Sequence, residues 1–166
     1  TEQARLEAEK NQYYSAFQTT PQPILITDPS GVIVSVNGSF LELYGFERDE
    51  LIGKNPHVLN PGREVYENLG VSVFEYDSTF GELWAAVKDP GVRSWRGELI
   101  NRKKNGNLVW VNLLVNGVYD ERGKLTSIVG LPIDMTVSHE VAMRSRVQLY
   151  QTIADLAELR DDDTGN

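Results

Sequence analysis

Trp95-Arg96-Gly97-Glu98-Leu99-Ile100-Asn101-Arg102-Lys103-Lys104-Asn105-Gly106 is the stretch on which the fold turns. Its first part is a β-compatible run, and Asn105-Gly106 is the dipeptide that favours a tight type I′ hairpin. Beyond that turn Val109, Val111, Leu113 and Val115 alternate with Trp110, Asn112 and Leu114, the period of a strand with one semi-polar face. Asp120-Glu121-Arg122-Gly123 then has the residue types of a second reversal. Three consecutive antiparallel strands follow, over 94–103, 107–118 and 124–134. Pro132 disturbs the last one: proline has no N–H to give a central strand, so either pairing ends before it or the strand carries a bulge.

Working backwards, Phe80, Leu83, Trp84 and Val87 lie at helical spacing and are stopped by Asp89-Pro90-Gly91. Residues 54–78 fit no period, because Pro56, Pro61, Gly62 and Gly70 interrupt each one; loop and short helical turns are expected. Upstream, Ile24–Thr27 and Val32–Val36 flank Asp28-Pro29-Ser30-Gly31 and read as a hairpin. Asn37 caps a helix carrying Phe40, Leu41, Leu43 and Tyr44, which ends at Gly45, and Glu47–Ile52 adds another turn. Residues 1–19 form a helical arm with Leu6, Tyr13 and Phe17 at near-helical spacing. Residues 137–163 contain neither Gly nor Pro and place Met143, Val147, Tyr150, Ala154 and Ala157 on one stripe. A long helix with that stripe is expected to pair with the same helix of a second chain.

Composition narrows the chemistry. At 166 residues the chain holds one domain with helical arms, and 40% apolar residues suffice for a core. A net charge of −8 argues against a phosphate-tracking surface, so no nucleic-acid partner is expected. The absence of cysteine removes disulfides, thiolate nucleophiles and thiolate metal sites. His57 and His139 are too isolated for a catalytic metal site, and no glycine-rich phosphate loop is present, so no catalytic residues are assigned. No apolar run approaches the roughly 18 residues that span a bilayer, and no basic-then-apolar leader opens the chain; a cytoplasmic location without direct membrane contact is expected.

The order of elements resembles the PAS sensor domain over residues 20–136. Three motifs carry the resemblance: Val36-Asn37-Gly38-Ser39-Phe40 with Tyr44-Gly45-Phe46 and Glu50-Leu51-Ile52-Gly53-Lys54, the Trp95–Gly106 run, and Asp134-Met135-Thr136 at the exit. It implies an α+β fold with a five-stranded antiparallel sheet, in order 2-1-5-4-3, bearing short helices on one face and flanked by terminal amphipathic helices. The implied organisation is an arm over 1–19, the sensor over 20–136 and an output helix over 137–160. Residues 161–166 are a further piece, because Leu159–Asn166 resembles the opening of an HD-GYP cyclic-di-GMP phosphodiesterase domain. There Asp163 occupies the position of a metal ligand, without its partners in this stretch.

Both resemblances together imply a redox or small-molecule sensor, itself not an enzyme, that governs a phosphodiesterase in cis through a dimeric helix. Asp134 and Thr136 are its expected signal relay. The alternative is a cofactor-free dimerisation module. Flavin-binding PAS domains of aerotaxis receptors and nitrogen-fixation regulators have aromatic and amide residues that Asn37, Trp84, Trp95, Asn101 and Trp110 match, which implies FAD as cofactor. A filled pocket, an unidentified metabolite, or haem held by His57 stand beside it. Pro56 lies about where the light-sensing relatives carry cysteine, so a cysteinyl-flavin adduct is excluded.

Overall fold

The computed structural model describes residues 1–163, with the side chains of 137–139 and 159–163 outside that description. Twelve elements follow in order: helix α1 (Glu2–Thr19), strands β1 (Leu25–Thr27) and β2 (Ile33–Val36), and helices α2 (Gly38–Tyr44) and α3 (Arg48–Leu51). After these come a 3-10 turn (Pro56–Leu59), α4 (Arg63–Asn68), α5 (Val73–Lys88), β3 (Ser94–Arg102), β4 (Leu108–Tyr119), β5 (Leu125–Asp134) and α6 (Thr136–Asp163). The strands form one antiparallel sheet in the order β2-β1-β5-β4-β3. Register explains which residues face inward: Leu99 and Asn101 sit opposite Val111 and Val109, and Val115 lies opposite Gly130. Phe40, Tyr44 and Leu51 from the short helices close over Leu25, Val36, Leu99 and Val111 to make the main core. Leu83 and Val87 of α5 join Val115 and Ile128 in a second cluster.

All three hairpins use one device. Gly31, Gly106 and Gly123 each donate to the carbonyl three residues back and have φ of 92°, 91° and 79°. This is a type I turn closed by a left-handed residue, which glycine adopts without steric cost. The expected type I′ turn at Asn105-Gly106 is therefore corrected: among the described residues only Arg93 is a non-glycine with positive φ, so Asn105 does not adopt the geometry type I′ needs. In two of the loops an aspartate does the same work. Asp28 Oδ1 accepts from the Ser30 and Val32 amides, and Asp120 Oδ1 from those of Arg122 and Lys124.

Of the two expectations for Pro132, pairing that ends before it holds on the β1 side alone, and no bulge is present there. Pairing with β4 continues through Leu113↔Pro132 to Val111↔Asp134, and the one irregularity lies at Val118/Tyr119. The Pro132 carbonyl accepts from Gln22 Nε2 at 3.1 Å, so the backbone polar groups of this residue point away from β4. The missing N–H falls on the side where β1, paired only with Ile128–Gly130, has already ended.

Residues 54–78 are more helical than their prolines and glycines suggest. Asn55 caps the 3-10 turn at His57 N, and α5 begins at Val73 under a reciprocal Ser72–Glu75 capping box. Both sheet edges are guarded. Ile33 exchanges backbone bonds with Lys54 and Gly53 on the β2 side, and on the β3 side the Tyr66 hydroxyl donates to Ile100 O (3.0 Å) and accepts from Ile100 N (2.8 Å). Such pairing keeps open strand edges from recruiting other chains.

The chain divides into two compact units at Asp134. In the first, α1 leaves Leu6, Tyr13 and Tyr14 exposed. The second contains α6, a continuous helix with Val141, Val147, Tyr150 and Ile153 exposed. No helix of the described residues is long and apolar enough to cross a membrane.

Candidate functional site

The concave face of the sheet and the helices enclose a cavity of about 160 Å³. Leu25, Leu113, Val115 and Ile128 floor it, Phe40 and Tyr44 of α2 form one wall, and Phe80, Leu83 and Trp84 of α5 form the opposite one. Asn55, Pro56, His57 and Asn60 close the mouth. Thr27, Asn55, His57, Asn60 and Asn101 bring polar groups to this mainly apolar lining. Asn101 enters because odd-numbered residues of β3 face inward, and its Oδ1 accepts from the Tyr44 hydroxyl at 2.7 Å. Burial, and secondarily the charge of Asp134, push the Tyr44 hydroxyl far above its ordinary pKa, so it stays protonated and remains a donor. The other half of the Asn101 amide makes only a long 3.3 Å bond to Ile100 O. It is the better placed half to meet a ligand.

The residues proposed from the sequence do not all converge. Trp84, Asn101 and His57 line this cavity. Asn37 does not. It is fully buried, its Oδ1 accepts from Ile24 N (2.9 Å) and Phe40 N (3.1 Å), and its Nδ2 donates to Phe17 O (3.0 Å) and Gln22 O (2.8 Å). A carboxamide has no further bonds of this kind to give. Trp95 begins β3 with its indole lying over Gly97, so closely that a Cβ at Gly97 would collide with the ring. Trp110 lines a separate cavity, beside the outer edge of β3. Asp134 ends β5 and Thr136 opens α6. Asp163 is outside the described side chains. Among the described residues no group of three His, Asp or Glu gathers as a metal site.

Size bears on the cofactor. A cavity of about 160 Å³ matches one that holds a single benzene-like ring (roughly 150 Å³), whereas most cofactor and drug sites are roughly 300 Å³ or more. The apolar walls and the Asn101 amide suit one edge of a flat heteroaromatic ring. The three fused rings of a flavin need the 55–60 mouth or α5 to move outward, and a porphyrin needs more. The sequence does not point to four of the lining residues: Tyr44 and Phe80 read as apolar positions on their helices, and Asn55 and Asn60 lie in a stretch with no period, where the Asn55-before-Pro56 cap is the signal that places the turn.

Residues 21–137 match the PAS domain family. A blue-light-activated histidine kinase of Brucella anthropi is 30% identical over 81% of this chain and 25% of its own length. A nitrogen fixation regulatory protein of Klebsiella oxytoca is 24% identical over 81% of this chain and 24% of its own. The chain thus spans about a quarter of the length of these curated relatives. The crystal structure of the PAS domain of a protein from Colwellia psychrerythraea superposes with a TM-score of 0.61 at 24% identity, covering 76% of this chain and 96% of that one.

Proposed function

The chain belongs to the PAS domain family, and from that premise we propose that its first unit binds a small, flat, mainly apolar molecule in the central cavity. The state of that molecule is then passed to an output domain in cis. The observation that carries this reading is Asn101, a carboxamide held by Tyr44 in a mainly apolar enclosure. The Asn101 amide is part-buried, and the half of it that makes only a long bond is open to a further partner.

Two occupants compete. A single-ring compound suits the cavity at its present volume. FAD is supported by the similarity to the blue-light-activated and nitrogen-fixation relatives and by Trp84 beside Asn101. It requires the cavity to widen. Bound there, a flavin would supply redox chemistry, with Trp84 as a wall and Asn101 at its polar edge. A chain without cysteine forms no thiol adduct with it.

Signal transfer in this reading runs from Asn101 through Tyr44 to the end of β5, where Asp134 and then Thr136 lead into α6. The exposed apolar stripe of α6 supports pairing with a second copy, and α1 gives a second such arm. The domain limits proposed are 1–19, 20–136, 137–160 and 161–166. The output class rests on Leu159–Asn166 alone, whose side chains lie outside the described residues; it is an HD-GYP phosphodiesterase, with Asp163 a ligand once that domain is complete. The named relatives carry other outputs, histidine kinase and regulatory protein.

Thermal melting of the purified chain with FAD and with single-ring heteroaromatics, beside the Asn101→Leu variant, decides. A stabilisation by either class that vanishes in the variant supports the reading and identifies the occupant. No shift with either class, in a chain that co-purifies with no ligand, overturns it in favour of a dimerisation module.

A further inference from the structure

Helix α5 turns an uncharged face to solvent. Its inward residues Tyr76, Phe80, Leu83 and Val87 recur at helical spacing, and the positions half a turn away from them are Phe74, Ser78, Gly81 and Ala85. In a helix laid on a core, that outer face ordinarily carries the charges; here none of the four residues is charged. Phe74 stands at the start of the face with 81% of its surface exposed, next to Val73 at 37% and, in the turn from α4, Leu69 at 51%. Three large apolar side chains within six residues make a contiguous patch, which marks an interaction surface where single exposed residues do not. Gly81 adds to this. A Cβ there would meet nothing within 4 Å, so no contact inside the chain calls for glycine, although glycine weakens a helix interior relative to alanine.

The patch is presented by ordered backbone. Leu69 N donates to Val65 O at 3.2 Å, Gly70 N to Glu67 O at 3.0 Å and Val71 N to Tyr66 O at 2.9 Å, and the Ser72–Glu75 capping box then starts α5. Its rim is acidic. Glu64 and Glu67 on the exposed side of α4 and Glu82 on the flank of α5 take part in no salt bridge among the described residues. The nearby cations are already engaged: Arg63 bonds Asp77 at 2.8 Å, and the Lys88 ammonium lies 5.4 Å from the centroid of the Trp84 ring.

We propose that the outer face of α5, with the α4–α5 turn, docks a basic amphipathic helix of a partner protein. Phe74, Val73 and Leu69 offer the apolar anchor, and at Gly81 the absence of a side chain lets a second helix lie close against α5. The free carboxylates of Glu64, Glu67 and Glu82 select Lys or Arg along the edges of the incoming helix. The same carboxylates repel an anionic lipid surface, a nucleic acid or an acidic peptide, which leaves a cationic protein segment as the fitting occupant. This face lies on the side of α5 away from the central cavity, so the inference stands whether or not a ligand is found there.

The test is a titration of the isotopically labelled chain with a synthetic peptide of about 20 residues, long enough to hold a helix, that has one leucine stripe and lysines on its polar face. A peptide with the same leucine stripe and glutamates in place of the lysines is the control. The lysine peptide is expected to shift the backbone amides of Leu69, Val73, Phe74 and Gly81 saturably, with affinity at least about tenfold above the glutamate peptide and falling as salt is raised. Phe74→Ser, at an exposed position, is expected to weaken binding about tenfold while the spectrum keeps its dispersion. Gly81→Leu is the sharper variant: it is expected to melt at or above the temperature of the parent chain and yet to lose the peptide. Replacing both Glu64 and Glu67 by Gln should weaken the lysine peptide severalfold and leave the glutamate peptide unchanged. Equal affinity for the two peptides, shifts centred on other elements, or affinity retained in both Phe74→Ser and Gly81→Leu overturns the proposal. So does light scattering in which Phe74→Ser converts a dimer to a monomer, since that assigns the face to a second copy of the chain.

Discussion

At the junction of β2 and α2 the Asn37 amide makes four hydrogen bonds to main-chain groups of four different residues, and water reaches none of it. In the cavity the Asn101 amide makes one short bond to Tyr44 and one long one to its neighbour's carbonyl. The two residues share a chemistry, yet one is spent on the scaffold and the other keeps capacity. An asparagine's role is thus set by how its donors and acceptors are committed, a quantity that neither residue type nor motif position contains.

The sharpest way to break this contrast is to remove each amide. Asn37→Leu leaves Ile24 N, Phe40 N, Phe17 O and Gln22 O without partners, at an expected cost of ~3 kcal/mol or more in urea unfolding. Asn101→Leu is expected to cost only about 1–2 kcal/mol, because the Tyr44 hydroxyl loses its acceptor while Ile100 O, which loses one long bond, keeps the Tyr66 hydroxyl. Equal losses in the two variants would remove the distinction.

How far the sequence carried the fold follows from the same contrast. Strands β3 to β5 and the αL ending of α2 at Gly45 were legible, because alternation and turn residues are local signals. The placement of Pro132 was not, since its harmlessness depends on β1 ending beside it and on Gln22. Nor was the stretch from Asn55 to Phe80, whose helices are held by caps and by Tyr66 bonding across to Ile100. That stretch walls both cavities. Trp84 and Asn101 could be assigned to the central one, but the separation of Trp110 into another depends on which face of β4 it occupies relative to the β3 edge.

Two glycines on the inner face of the sheet repeat the comparison at smaller scale. A Cβ on Gly117 would stand 2.7 Å from the Val87 carbonyl, so α5 is pressed onto β4 there. Gly117→Ala is expected to cost about 2 kcal/mol, read by thermal or urea unfolding. The edge guard gives the next effect. Tyr66→Phe removes the one hydroxyl that bonds both Ile100 N and Ile100 O, for about 1–2 kcal/mol. Burial pushes the Tyr66 hydroxyl up to about 12, while the unfolded chain titrates near 10. Stability contributed by this group is intact below pH 10 and declines as pH rises towards 12, because the unfolded state loses its proton first; the Phe variant lacks that component.

The smallest expected effect sits in the hairpin loops. Hydrogen bonds from Ser30 and from the Val32 amide hold the exposed Asp28 carboxyl below its ordinary range. Its stabilisation is present above the unfolded carboxylate pKa and fades as pH falls through the lower folded value. Asp28→Asn should therefore flatten the acid limb of a stability–pH profile slightly and leave neutral pH nearly unchanged.

Gly130 offers the most direct test of the central claim, that the cavity beside Asn101 takes a ligand. A Cβ there meets nothing closer than 3.8 Å, ordinary van der Waals contact, so a side chain at this position is rooted in the cavity lining without a clash at its first atom. Native mass spectrometry of the purified chain, beside its Gly130→Val variant, is the measurement. The account predicts a non-covalent adduct, carried over or restored by incubation with the compound that stabilised the chain in melting, and its loss in a variant that remains folded. An adduct retained in full by Gly130→Val would contradict it.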